Sequence, residues 1–506
     1  MKKILILLLI LLLILLFILN IFANTSNAIV SGTVEKHKML NLTDCIKIAL
    51  ENSAPVRISK LEYEMSKNKT KIAKADFFPK IGISTGYNVN TASGKQISYS
   101  NNNYNLETSL SQLIWDFGKT NANINMQKFN TIYALYNFNN VVLDTIYDVK
   151  INYYGVLAAK FEVDINEANV QINERNYQKV KAFFEEGLKS KIDLVNAEVN
   201  LSEAKISLLK ARNKFKNNLV LLNNAMYDLD KLEYNLETTE IFDEYQKNQF
   251  APVDLTVKSI NKYQNVDLTK LPPDVEDAFL TEQSQRIGSI ESYKLEKFDK
   301  SFEQCVDYAY ENRPDIKAYD ATINSMQESL KYIKREYYPQ IGAQAGYGFR
   351  DENNLNSFNV SINLTSNVNI MAKKYEIDNA KIETQIAQEK LELAKENIFF
   401  EVQNYYINVL ELEKQVPLLG TKVKQALENY KLADGRYSVG LGDFIEVQNA
   451  IVNYNNAQLS YIEAIYNYNL AKSNLEKSIA KPHDGVNYTV DDVKIEKYKD
   501  KKSGKV

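Results

Sequence analysis

The feature that most narrows the possible folds is a change of sequence period that happens twice. Up to Phe77 apolar residues recur at helical spacing; after Pro79 the period becomes two. Ile81, Ile83, Thr85, Tyr87 and Val89 alternate with Gly82, Ser84, Gly86, Asn88 and Asn90. A Ser/Asn/Gly stretch, Thr91 to Asn103, reads as a loop, and then Tyr104, Leu106, Thr108 and Leu110 alternate with Asn105, Glu107, Ser109 and Ser111. Pro339 opens the pattern again. Ile341, Ala343, Ala345, Tyr347 and Phe349 alternate with Gly342, Gln344, Gly346, Gly348 and Arg350, and Phe358, Val360, Ile362 and Leu364 with Asn359, Ser361, Asn363 and Thr365. Phe77-Phe78-Pro79-Lys80-Ile81-Gly82 lies 260 positions before Tyr337-Tyr338-Pro339-Gln340-Ile341-Gly342, so the chain is a tandem duplication. Two-faced strands of about ten residues have the length and pattern of membrane-spanning hairpins. One such hairpin would equally suit a soluble sheet; its recurrence favours the membrane.

The flanking sequence is helical and long. Only nine Pro and seventeen Gly punctuate 506 residues. After each hairpin a helix is expected, over 115–186 and 370–439, each on the order of 100 Å at about 1.5 Å per residue. That is too long for a globular core and implies a coiled coil or a helical tube. Gly155, Pro417 and Gly420 are expected to kink or locally break these helices. The helices end at matched turns, Gly187-Leu188-Lys189-Ser190 and Gly440-Leu441-Gly442-Asp443, now 253 positions apart; a shorter second hairpin loop accounts for the difference. In the return helices Leu194, Leu201, Leu208, Phe215 and Leu222 interleave with Ala197, Ala204 and Ala211. Val447, Tyr454, Tyr461, Tyr468 and Leu475 likewise interleave with Ala450, Ala457, Ala464 and Ala471. Alternating large and alanine positions at heptad spacing form a seam along which helices approach closely, so the aromatic stripe reads as packing.

The organisation follows. Lys2 and Lys3, an apolar run from Ile4 to Leu19, and Ser26-Asn27-Ala28 read as a signal peptide over 1–28, cut after Ala28 or Ala23. A first repeat covers 29–229, with hairpin 80–114, long helix 115–186 and return helix 190–229. An irregular insert or equatorial linker covers 230–300. The second repeat covers 301–481, with hairpin 340–367, long helix 370–439 and return helix 443–481. A polar, partly disordered tail is expected over 482–506. Short helices opening at Leu42 and Phe302 place Cys45 and Cys305 at equivalent positions, where they either pair in an oxidising compartment or stay separate as small buried residues. A net charge of −3 argues against nucleic-acid binding. There is no phosphate loop, no H-E-x-x-H and no paired-Cys metal spacing, and the two His, His37 and His483, fall in the flanks. No enzyme activity, cofactor or metal is expected.

Four strands cannot close a barrel, because small barrels begin at about eight, and open edges are not tolerated in lipid. The expected fold is therefore a mixed α/β membrane protein. Its tandem-repeat protomer combines long α-helical coiled coils with four transmembrane β-strands, and oligomerises into a β-barrel continued by an α-helical tunnel. The polar faces, with Glu107 and Arg350, would line a wet lumen, and Phe77, Phe78, Tyr104, Trp115, Tyr337 and Tyr338 would form an interfacial girdle. The rival reading is an exported coiled-coil scaffold or adhesin whose hairpins are soluble.

Several motifs carry a family resemblance. They are the doubled short helix ending in Glu51-Asn52 and Glu311-Asn312, the doubled aromatic-Pro-x-Ile-Gly strand start, and Leu113-Ile114-Trp115-Asp116-Phe117-Gly118 at the strand exit. Gly187-Leu188-Lys189-Ser190-Lys191-Ile192-Asp193-Leu194 and Tyr437-Ser438-Val439-Gly440-Leu441-Gly442-Asp443-Phe444-Ile445-Glu446-Val447 complete the set. Over about 42–230 and 301–481 the chain resembles the TolC-type outer-membrane efflux channels. Val368-Asn369-Ile370-Met371-Ala372 departs from the family pattern, and the insert is long. The resemblance implies a homotrimer in the outer membrane of a diderm bacterium, serving as exit duct for efflux or type I secretion. Its tunnel would reach through the periplasm to a periplasmic adaptor and an inner-membrane pump. It implies a gate and selectivity set of Asp193, Tyr437, Glu446 and Asn449. It also implies adaptor-contacting tips at Gly187, Leu188, Lys189, Ser190, Gly440, Leu441, Gly442 and Asp443, and barrel-opening prolines at Pro79 and Pro339. Glu446 matches a ring acid, Asn449 stands where some members carry a second acid, and Gly442 stands where some carry a gate Arg, so the resemblance implies an acid ring with one charge per subunit.

Overall fold

The computed structural model describes residues 40–93, 98–227, 297–350, 355–366 and 369–493. The expected signal peptide, nearly all of the insert and the end of the tail lie outside the described residues. Both repeats fold in the same order. The first comprises α1 (Leu42–Asn52), α2 (Ala54–Ala75), β1 (Lys80–Ser93), β2 (Ser98–Trp115), α3 (Lys119–Glu185) and α4 (Lys191–Met226). The second comprises α5 (Phe302–Asn312), α6 (Pro314–Arg335), β3 (Gln340–Arg350), β4 (Leu355–Thr365), α7 (Ile370–Ser438) and α8 (Phe444–Ser478). Local chemistry starts these helices where the sequence supplies caps. Asn41 accepts from the Asp44 amide at 2.7 Å and Ser53 from the Val56 amide at 3.3 Å. Ser301 and Gln304 form a reciprocal capping box, and Pro55 and Pro314 sit in first turns.

The four strands form one antiparallel sheet in the order β1-β2-β3-β4. Their register keeps the sequence alternation in three dimensions. Ile81, Leu110, Ala345 and Val360 make one rung, and Ile83, Thr108, Tyr347 and Phe358 another. Between them runs a rung of Gly82, Ser109, Gly346 and Asn359. One face is thus apolar across all four strands and bare, with Ile83 70 % and Val360 68 % exposed. On the polar face a Cβ at Gly82 would lie 2.8 Å from Ser109 Oγ, so glycine lets the neighbouring hydroxyl lie across it.

Three details differ from the sequence reading. The ladder reaches Ser93 and resumes at Ser98, so most of the expected Thr91–Asn103 loop is strand. Pairing needs only backbone donors and acceptors, which Ser and Asn supply as readily as Val. Tyr104 consequently lies within β2 against Tyr87, ring centroids 4.6 Å apart, rather than at a strand end. The long helix begins at Lys119 instead of 115, because β2 runs on through a bulge to Trp115 and a tight corner follows. There Phe117 and Gly118 take positive φ, and the buried Asp116 carboxylate accepts from the amides of Gly118 (3.0 Å) and Thr120 (2.6 Å).

The long helices α3 and α7 run 67 and 69 residues, about 100 Å each. α7 is continuous through Pro417, so of the kink or local break expected there the break does not occur. Val416 and Val423 are buried on either side of it, and Gly420 makes room for the Tyr461 ring. α2 and then α4 pack along α3, whereas α6 and then α8 pack along both α3 and α7. The order across the bundle is therefore α2/α4, α3, α6/α8, α7. Position in that order sets burial. On α8, between two neighbours, Val447, Ala450, Tyr454, Ala457, Tyr461, Ala464, Tyr468, Ala471 and Leu475 are all buried. On α4, at the flank, the alanines are buried but Leu194, Leu208 and Phe215 stay half-exposed.

Cys45 and Cys305 are buried in separate short helices and are not disulfide-bonded. The segment after α8 packs back on the first repeat up to Val493, and the rest of the expected tail lies outside the described residues. Tyr147 Oη donates to Lys481 O at 2.9 Å, Tyr488 Oη to Leu50 O at 3.2 Å, and Lys60 Nζ to Val493 O at 2.7 Å. Beneath it Glu476 is ion-paired with Lys150, their side chains 7 % and 11 % exposed, and with Lys481 at 3.2 Å. Burial pushes the Glu476 carboxyl up, but the lysines outweigh it and hold the group below its ordinary value. A carboxyl depressed in the folded state contributes stability above its unfolded pKa, and that stability is lost as pH falls through the folded one. Glu476→Gln is expected to cost about 3 kcal/mol by leaving Lys150 buried and unpaired. The checks are a lower thermal midpoint at neutral pH and a smaller further loss on acidification than in the parent.

The helical tip as candidate functional site

The end of the bundle away from the strands is built from two matched helix-turn-helix corners. In each, a glycine with φ of +77°, Gly187 or Gly440, ends a long helix. The next amide then reaches back, Leu188 N to Phe183 O at 2.8 Å and Leu441 N to Arg436 O at 2.9 Å. Ser190 and Asp443 cap the return helices. The turns leave Leu188 and Leu441 exposed at the extremity, flanked by exposed Ile192, Val439 and Ile445. Pro79 and Pro339 lie at the opposite end, each just before a strand and just after an exposed aromatic pair.

Asp193 and Tyr437 come close to one another. Tyr437 is 1 % exposed, tilted against Phe183 with centroids 6.0 Å apart and edge-on to Phe444 at 6.4 Å, with Lys189 Nζ 4.6 Å from its ring centre. Burial, and then the carboxylates of Asp193 and Asp434, push its phenol up to about 12. Its hydroxyl is buried without a hydrogen-bond partner among the described residues. Asp193 is occupied locally: it closes a capping box with Ser190, accepting from the Ser190 amide (3.3 Å) and hydroxyl (3.0 Å). That Ser-x-x-Asp pattern was readable from the sequence. Across the two hairpins Lys179 bridges Asp434 at 2.9 Å and donates to Ser438 Oγ at 3.0 Å.

Glu446 is not a free acid. Arg436, in the last turn of α7, pairs with it at 3.1 Å, and its backbone amide donates to Asp443 at 2.7 Å. Asn449 is exposed one turn further along α8. A cation therefore does reach the corner, but from position 436 instead of 442. Gly442 packs directly on the α7 terminus: a Cβ there would lie 3.1 Å from Tyr437 N and 3.2 Å from Arg436 Cβ. The sequence reading missed Lys179 and Asp434, because only the fold sets one hairpin against the other, and Arg436, because the path of the α7–α8 turn decides that it meets Glu446. Gly442→Ala should open this turn at a cost of about 1–2 kcal/mol. Faster backbone hydrogen exchange over 437–446, with the rest of the bundle unchanged, is the expected readout.

The outer membrane efflux protein family matches residues 45–226 and 305–481, the two repeats. No curated protein sequence gives a significant match. Similar solved structures include the Campylobacter jejuni CmeC outer membrane channel, at 15 % identity and TM-score 0.67, covering 90 % of this chain and 93 % of that one. They also include the open state of the Neisseria gonorrhoeae MtrE outer membrane channel, at 15 % identity and TM-score 0.64, covering 90 % and 96 %. The CusC structures, described in terms of transmembrane channel formation, align at 14 % identity and TM-score 0.68 over 90 % and 95 %. Identities this low speak to the fold, and the fold class expected from the sequence is the one these channels share. With both repeats matched, this chain belongs to the outer membrane efflux protein family.

Proposed function

We propose that the protein is a trimeric exit duct, carrying substrates of an efflux or type I secretion system through the periplasm and across the outer membrane. The observation that carries this reading is that barrel and bundle are cut open on the same two sides. β1 and β4 pair on one side only, and the helices next to them, α2/α4 and α7, are the flanks of the bundle. Both flanks carry bare apolar residues at heptad spacing. On α7 these are Ile386, Leu393, Phe400 and Ile407; on α2, Ile58, Met65 and Ile72; on α4, Ile192, Val199 and Ile206. Three copies joined edge to edge would make a barrel of twelve strands from four each, and a ring of helices with every seam covered. A soluble scaffold would leave the apolar sheet face and both stripes in water, which argues against that alternative. Phe400→Glu is expected to break the trimer, seen as loss of the heat-sensitive oligomer on gels while the monomer keeps its helical content.

The exposed leucines and isoleucines of the tip suit docking of a periplasmic adaptor, itself joined to an inner-membrane pump. Within the tip, Asp193, Tyr437, Glu446 and Asn449 are the proposed gate and selectivity set. An unpaired buried hydroxyl costs about 1–3 kcal/mol, so the tip repacks on trimer closure to bring the Tyr437 hydroxyl a partner from the next subunit. Tyr437→Phe should then raise the open probability of the duct in planar bilayers. An unchanged open probability with a more stable trimer would remove Tyr437 from the gate.

A further inference from the structure

We propose that the corner between bundle and barrel is a basic collar that gathers anionic phospholipid headgroups from the leaflet facing the helices. The inference rests on the strands spanning a membrane and goes beyond it in naming the lipid. Within 67–80, 116–119, 328–340 and 369–376, where helices meet strands, eleven Lys and Arg stand against five Asp and Glu, in a chain whose net charge is −3. The excess is repeated in both halves of the chain. Lys71 and Lys74 precede Phe77-Phe78, and Lys331 and Lys334 precede Tyr337-Tyr338, at the same offset of 260. Phe78 is 68 % exposed, and Trp115, Phe117 and Tyr338 continue the aromatic band, with the Phe117 and Tyr338 rings stacked 5.2 Å apart.

Some of this charge is spent internally. Lys119 and Lys373 share Glu336, Lys331 holds Glu328, and Lys80 holds Asp76. Lys69, Lys71, Lys74 and Lys334 are exposed and have no carboxylate partner within salt-bridge distance among the described residues. Helix dipoles do not explain the surplus. Cations suit helix C-termini, which fits Lys74 and Lys334 at the ends of α2 and α6. The N-termini of α3 and α7 lie at the same level, where acids would be favoured; Asp116, just before α3, accepts from the Thr120 amide, but the first turns of both helices hold no acid, and Lys119, Lys373 and Lys374 stand there. Cations packed against the positive ends of two helices, directly beneath an exposed aromatic band and an apolar sheet face, match a surface that meets phosphate groups.

Trp115 is the single Trp of the chain and lies in the collar, so its fluorescence reports the lipid there. The full-length trimer is reconstituted in phosphatidylcholine vesicles containing a fixed fraction of a lipid brominated near the headgroup, either phosphatidylglycerol or phosphatidylcholine. Brominated phosphatidylglycerol is expected to quench Trp115 more strongly, by a factor of about two or more. The preference should vanish in 1 M salt, where screening acts over about 3 Å. It should also vanish in the Lys71→Gln/Lys74→Gln/Lys334→Gln variant, with both lipids still quenching. Equal quenching by the two lipids in the parent protein at low salt overturns the collar. A preference that survives salt and substitution overturns its electrostatic origin. Absence of quenching by either lipid would instead overturn the membrane-spanning reading.

Discussion

The structure depends on the demand of the peptide backbone for hydrogen-bond partners where water is absent. A sheet with a continuous apolar face belongs in lipid, and in lipid an unpaired strand edge leaves a row of amides and carbonyls without partners. The β1-β2-β3-β4 sheet has two such edges, so a single copy is an incomplete object. The helices carry the same cut downward. α2 and α4 on one side and α7 on the other keep bare heptad stripes, while the seams inside the protomer are filled. One geometric decision, that the sheet must close with copies of itself, thus sets the arrangement of helices about 100 Å long.

Along the bundle, burial follows from neighbours more than from residue type. The heptads of α4 and α8 look alike in sequence, yet the large residues of α8 are buried and several of those of α4 are not. The reason is that α8 lies between two long helices and α4 beside one. Pro417 and Gly420 show the same effect. Both are breakers by local preference, but a helix clamped along its length by packed Val416, Val423 and Tyr461 stays continuous. The segment after α8 and the Glu476 cluster tie the end of the second repeat back to the first, which locks together parts of the chain more than three hundred residues apart.

The tip shows how a site can be visible in outline and hidden in detail. Gly187 and Gly440 announced two turns because a left-handed residue must end each long helix. The Ser190 and Asp193 pair closes a capping box. That local bond occupies the Asp193 carboxylate, and Arg436 holds Glu446, so the electrostatics of the corner come from pairs that the spacing of acids alone does not reveal. Lys179 with Asp434, and Lys189 over Tyr437, join residues some 250 positions apart in the chain. Partners of that kind lie on different hairpins and leave no local periodicity.

By itself the sequence determined whatever obeys a short period: two amphipathic hairpins, the helices around them, their duplication, and the fact that four strands are too few. These follow because side-chain direction repeats every two residues in a strand and about every 3.6 in a helix, so a one-dimensional pattern is already a statement about faces. Tertiary structure alone decided which faces meet. It extended β1 and β2 through a Ser/Asn stretch with no apolar signal, delayed α3 to Lys119 behind the Asp116 corner, packed the segment up to Val493 against the first repeat, and gave Glu446 a guanidinium neighbour. Those outcomes depend on backbone pairing, on the exact path of a tight turn, or on contacts between distant segments, and none of these is written in the period of a single stretch.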